Sequence, residues 1–123
     1  MNLGRGIVVA VGLSLIATGM APAWAGGWGA IAVDFRDDMS NTAFGIGRGA
    51  SMAEAGTAAM SFCAKAGGAK CGVVVSYTNC GAVAAGRNSL GYGMADSKKQ
   101  AEANALGGCA GSACRIVASD CNN

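Results

Sequence analysis

Histidine is absent from all 123 residues. That one gap removes Ser-His and Cys-His catalysis, imidazole-ligated metals and histidine pH switching. Charge is scarce too: 13% of residues are charged and the formal net charge is +2. So small a balance carries no polybasic signature, which argues against nucleic acid as a partner. With 52% hydrophobic residues the chain is no charge-rich disordered polymer. A single proline and the lack of a Gly-X-Y period exclude collagen despite 21 glycines. No Cys-x-x-Cys spacing occurs, which argues against a zinc site, and no cofactor is expected. The length leaves room for one domain.

What is present begins with an export signal. Arg5 is the sole charge ahead of an apolar or small run from Ile7 to Met20, followed by Ala21-Pro22-Ala23-Trp24-Ala25. Ala23 and Ala25 stand where a signal peptidase needs small residues. An apolar core of about 14 residues falls short of the ~20 that span a bilayer, so cleavage is preferred over a retained anchor. Residues 1–25 are expected to be removed, leaving one domain over 26–123 that is periplasmic or secreted and makes no membrane contact. All six cysteines, at 63, 71, 80, 109, 114 and 121, lie in that part. An even count in a small exported chain reads as three disulfides.

The chain also repeats itself. Gly29-Ala30-Ile31-Ala32 is answered by Gly81-Ala82-Val83-Ala84, and Phe44-Gly45-Ile46-Gly47 by Leu90-Gly91-Tyr92-Gly93. The second offset also carries Ser51 onto Ser97, Glu54 onto Gln100, Ala59 onto Ala105 and Cys63 onto Cys109; Cys71 then matches Cys114, and Cys80 matches Cys121. The repeats are drawn as 28–80 and 81–121, each reading strand, strand, helix, strand. Strands are expected at 29–33, 43–47, 72–77, 81–85, 89–93 and 115–118. Alternate glycines in the second strands leave one face bare for close packing. Ser51-Met52-Ala53-Glu54 and Ser97-Lys98-Lys99-Gln100 read as capping boxes, so helices should run over 52–65 and 98–106, stopped by paired glycines.

The Trp-Gly-Ala-Ile-Ala opening, the Gly-Ala-Val-Ala restart, the Ser-x-x-x-Ala helices and the matched cysteines resemble the bacterial domain-of-unknown-function family 4189. The resemblance covers residues 28 to 121. It implies a small exported bacterial protein and brings no catalytic residues with it. One departure stands out: the first connection, Asp34 to Thr42, is longer than its counterpart, Gly86 to Asn88.

The expected fold is α+β: two strand-strand-helix-strand repeats sharing one largely antiparallel sheet, with two packed helices and interdependent halves. Six cysteines allow 15 pairings. Extended strands hold Cys71 and Cys80 roughly 30 Å apart and Cys114 and Cys121 roughly 23 Å apart, which disfavours both pairs. Repeat symmetry then favours Cys63–Cys71 and Cys109–Cys114 within the units. Cys80–Cys121 would join the two units.

Candidate chemistry is thin. Asp34, Asp37, Asp38 and Asn41 crowd the longer connection, where oxygen ligands can hold a cation and paired carboxylates can do acid/base work. The spacing lacks the EF-hand glycine and closing glutamate, and Arg36 offsets the charge, so a solvated loop is the simpler reading. Gly45-Ile46-Gly47-Arg48-Gly49 ahead of a helix resembles a phosphate cradle but lacks the dinucleotide register and the Walker lysine. Ser51 and Ser97 are better helix caps than nucleophiles. Trp28, Phe35, Tyr77 and Tyr92 are the aromatic candidates for an exposed contact. Two functions remain in play. The first is a non-catalytic protein-interaction domain (an inhibitor, an immunity-type or host-directed factor, or an envelope accessory) that binds another protein through Phe35, Arg36, Asp37 and Asp38. The alternative is a small exported hydrolase using carboxylates of the 34–42 loop.

Overall fold

The computed structural model describes residues 27–111 and 113–122; the expected leader, 1–25, lies outside them. The order is β1 (Trp28–Asp34), β2 (Phe44–Gly49), α1 (Met52–Lys65), β3 (Cys71–Tyr77), β4 (Cys80–Ala85), β5 (Leu90–Ala95), α2 (Lys98–Gly108) and β6 (Arg115–Cys121). Each half therefore runs strand, strand, helix, strand.

Both helices start where serine meets them. Ser51 Oγ accepts from the Glu54 N–H, and Ser97 Oγ accepts from the Gln100 N–H, each at 3.1 Å. The return arm differs between them. Glu54 reaches past its cap to accept from the Ala50 N–H, whereas the Gln100 amide turns along the helix and donates to Asn104. Neither therefore completes the expected capping box, whose return arm ends on the serine's own N–H; the first helix has a substitute one residue earlier and the second has none. Gly67, at φ +102°, ends α1 in the left-handed region that glycine enters without strain.

Two antiparallel three-stranded sheets form, ordered β2-β1-β3 and β5-β4-β6. This corrects the expectation of one shared sheet. The central strands β1 and β4 are apolar on both faces, and each face finds a different partner. Ile31 and Val33 meet Val75, Tyr77, Val83 and Ala118 in a core between the sheets. Ala30 and Ala32 meet Ala55, Ala59 and Cys63 of α1, and Ala82 and Ala84 meet Ala101 and Ala105 of α2. The layers are thus helix, sheet, sheet, helix. The register slips at matching places, between Ile31 and Ala32 against β3 and between Val83 and Ala84 against β6.

The alternate glycines are the contact between strand and helix. A Cβ on Gly47 would stand 2.2 Å from the Ala59 nitrogen, and one on Gly91 would stand 2.3 Å from the Ala105 oxygen. Helix backbone rests directly on strand backbone, so side chains have no room there.

Three disulfides form: Cys63–Cys71, Cys109–Cys114 and Cys80–Cys121. The last does not join the halves. Cys80 opens β4 and pairs in register with Cys121 on β6, so the bond is a rung inside the second sheet. Cys80 thus belongs to the second sheet, and with the halves divided ahead of it no disulfide crosses between them.

Candidate functional site

The connection between β1 and β2 is held at both ends by its own polar groups. Asp34, only 6% exposed, closes β1: its N–H donates to the Ala43 carbonyl, and its Oδ1 accepts from the Lys70 N–H at 2.8 Å. The Thr42 hydroxyl returns across the loop to the Asp34 carbonyl at 2.6 Å. Midway, Met39 is buried, and its N–H donates to the Arg87 carbonyl in the second half. The Arg115 guanidinium also reaches the Ser40 carbonyl. The loop is braced against both halves.

Phe35, Arg36, Asp37 and Asp38 are all exposed on this brace. Phe35 lies over Gly72, where a Cβ would come within 2.7 Å of its ring. Arg36 leans on Asp34 at 3.9 Å. Asp38 accepts from the Ser40 hydroxyl at 2.6 Å and from the Ser40 N–H at 3.0 Å, with Arg87 3.6 Å away. Those hydrogen bonds from Ser40, with Arg87 and Arg36 beyond them, hold its carboxyl below the usual carboxylate value. Asp34 and Asp38 thus face different partners, while Asp37 lines an open hollow with each of them, one beside Asp38 and one beside Asp34, with Arg36 in both. Among the described residues no group of three His, Cys, Asp or Glu is placed to hold a metal ion. Open hollows flank the loop. One of about 270 Å³ is lined by Ser40, Asn41, Thr42, Phe44 and Arg115, and others follow the loop past Arg36 and Asp37.

A second polar cluster, at the opposite end of the strands, escapes a reading of sequence. The Tyr77 ring is buried between Gly29 and Gly81, each of which would strike it with a Cβ. Its hydroxyl donates to Asp120 Oδ2 at 2.9 Å, while Arg48 donates to Asp120 Oδ1 at 2.7 Å and to the Cys121 carbonyl at 3.1 Å. Asp120 faces Gly81 across the second sheet as Tyr77 faces Gly29 across the first, so equivalent positions of the halves meet. The one available signal was the pair of glycines opening β1 and β4. Burial, with Asp120 next, raises the Tyr77 pKa, and the same carboxylate raises that of Arg48. These shifts belong to a structural joint. Tyr77 is therefore withdrawn as an exposed contact; Phe35 and Tyr92 are exposed, and Trp28 is half-buried.

Three disulfides fit an oxidising compartment. Among the described residues no helix is long and apolar enough to cross a membrane. No curated protein and no solved structure matches the chain. The family model described as a domain of unknown function, DUF4189, matches residues 28–121, from the first residue of β1 to the last of β6, and the chain belongs to that family.

Proposed function

We propose that this is an exported, non-catalytic protein-interaction domain of a bacterial cell, made of two copies of one unit, with the Phe35–Asp38 tip as its contact surface. One observation carries the reading. The tip is exposed as a block while Asp34, Met39 and Thr42 fix the loop to the body, an arrangement suited to recognition on a rigid scaffold. The hydrolase alternative needs a carboxylate pair around one pocket. Asp37 and Asp38 do share an open hollow, but Asp38 is already taken up by Ser40 and Arg87, and Arg36 lines the same hollow, which favours the contact surface.

Because Met39 is buried, replacing the whole loop would disturb the fold, and substitutions at the tip are the cleaner probe. A photo-crosslinking residue is placed at Phe35, at Asp37 and, as control, at the exposed Thr78. Crosslinking in the native envelope to one protein from positions 35 and 37, but not 78, supports the proposal. Equal crosslinking from all three, or none, overturns the site. Turnover of a peptide, ester or cell-wall substrate that is abolished by Asp37→Asn or Asp38→Asn would establish the hydrolase instead.

A further inference from the structure

We infer that two copies of this chain associate through the free edge of β2 and the flank of α1 above it. Among the described residues β2 pairs only with β1, so its other edge is open. The second half provides an internal comparison. There Asn104 of α2 donates its side-chain amide to the carbonyl of Met94, an edge group of β5, at 3.5 Å. The residue at the same distance from the N-cap of α1 is Ala58, which offers no such group. One edge is guarded by a side chain; the other is left bare, the condition in which a strand accepts another strand.

The occupant is identified by self-complementarity. Gly45 lies under Ala59, Phe62 and Cys63, and Gly47 lies under Ala55, Ala58 and Ala59, so Ile46 sits beneath the middle of α1. The charged residues of that helix are Glu54 in its first turn and Lys65 in its last. Their backbone positions fall on the same flank about 16 Å apart, at ~1.5 Å rise per residue, with their midpoint at Ala59 and Met60. Glu54 holds the Ala50 N–H with one oxygen, and Lys65 stands 5.5 Å over the Phe62 ring. A two-fold axis through the outer edge at Ile46 pairs β2 with its copy antiparallel, each Ile46 opposite the other and each Phe44 opposite Arg48. The same axis brings Glu54 of each copy to Lys65 of the other. It also lays Phe62, 51% exposed, onto the partner's bare Ala58. An isologous contact requires that the surface match itself in this way. α1 lies over both β2 and β1, which leaves room for two helices at the usual ~8–10 Å. The loop tip stays free, so this contact is independent of the proposed one.

Sedimentation of the oxidised protein over a concentration series tests the inference. The wild type is expected to dimerise. Lys65→Glu and Glu54→Lys should each weaken the dimer about tenfold or more, and the double variant carrying both should recover it. Ala58→Asn should abolish it by importing the guard of the second half. Circular dichroism and intact disulfides must show each variant folded. Amide exchange of Ile46 and Arg48 should slow with concentration. A wild type that stays monomeric, a dimer indifferent to these substitutions, or singles not rescued by the double would overturn it.

Discussion

Tyr77 shows how much one side chain can join. Its ring fills the space left by Gly29 and Gly81, one from each half, and its hydroxyl ends on Asp120. Tyr77→Phe keeps the packing and deletes the hydrogen bond to a charged group, at an expected cost of about 1–2 kcal/mol in urea unfolding. The native state also holds the phenol proton more tightly than the unfolded chain does, since burial raises the pKa above the ordinary 10.0. The resulting stability is complete below about pH 10 and falls above it. Wild type should lose stability on the alkaline side, and Tyr77→Phe should flatten that limb. If both curves fall alike, the alkaline loss comes from other groups. Gly47→Ala is the harsher change. Its methyl would enter helix backbone that cannot step aside, at an expected cost of about 3 kcal/mol or more. A thermal melt within a few degrees of wild type would contradict the close contact.

At the scale of elements, the caps divide the labour unequally. Ser51→Ala removes the one hydrogen bond to the Glu54 amide and Ser97→Ala the one to the Gln100 amide, each worth about 1 kcal/mol. Glu54→Ala should add a further loss in α1, because it frees the Ala50 N–H. Gln100→Ala should cost less, its amide bonding only to Asn104. Guanidinium titrations of the four variants check the order. The helices were legible because glycine and serine punctuate them; α2 runs past its expected end into Gly107 and Gly108, which stay helical because helix backbone packs above Gly91. Sheet membership was not legible. A strand buried on both faces, such as Ala82-Val83-Ala84-Ala85, carries no mark that separates lying beside β1 from facing it across a core. The loop's exposed tip followed from its charge and length. Asp34 did not: an aspartate in an acidic run reads as solvated, and only the fold shows it buried on the Lys70 amide.

Over the whole molecule, the covalent map and the folding map disagree. The halves share Ile31, Val33, Val75, Tyr77, Val83 and Ala118 as one core, so neither should be stable alone. Yet the chain between Tyr77 and Cys80 is the sole covalent link, and Thr78 and Asn79 are exposed there. A protease cleavage site placed at Thr78 and Asn79 should yield a nicked protein that stays together in buffer. In denaturant without reductant it should separate into two fragments. A single band under those conditions would mean that a disulfide crosses the halves after all.

The same map decides how the molecule answers a pull on its two ends. The Cys80–Cys121 rung bridges a sequence separation of 41 and ties the first residue of β4 to the last of β6. Tension entering at Cys121 therefore passes through sulfur to Cys80, and β4, β5, α2 and β6 carry almost none of it. Only the first half lies in the line of force, less the short ring closed by Cys63 and Cys71. Stretched under oxidising conditions, the chain should pay out on the order of 150 Å, at ~3.5 Å per residue. The second half should then hang as an unloaded loop that lengthens only once the rung is reduced. The second half is mechanically silent, and the first is the spring.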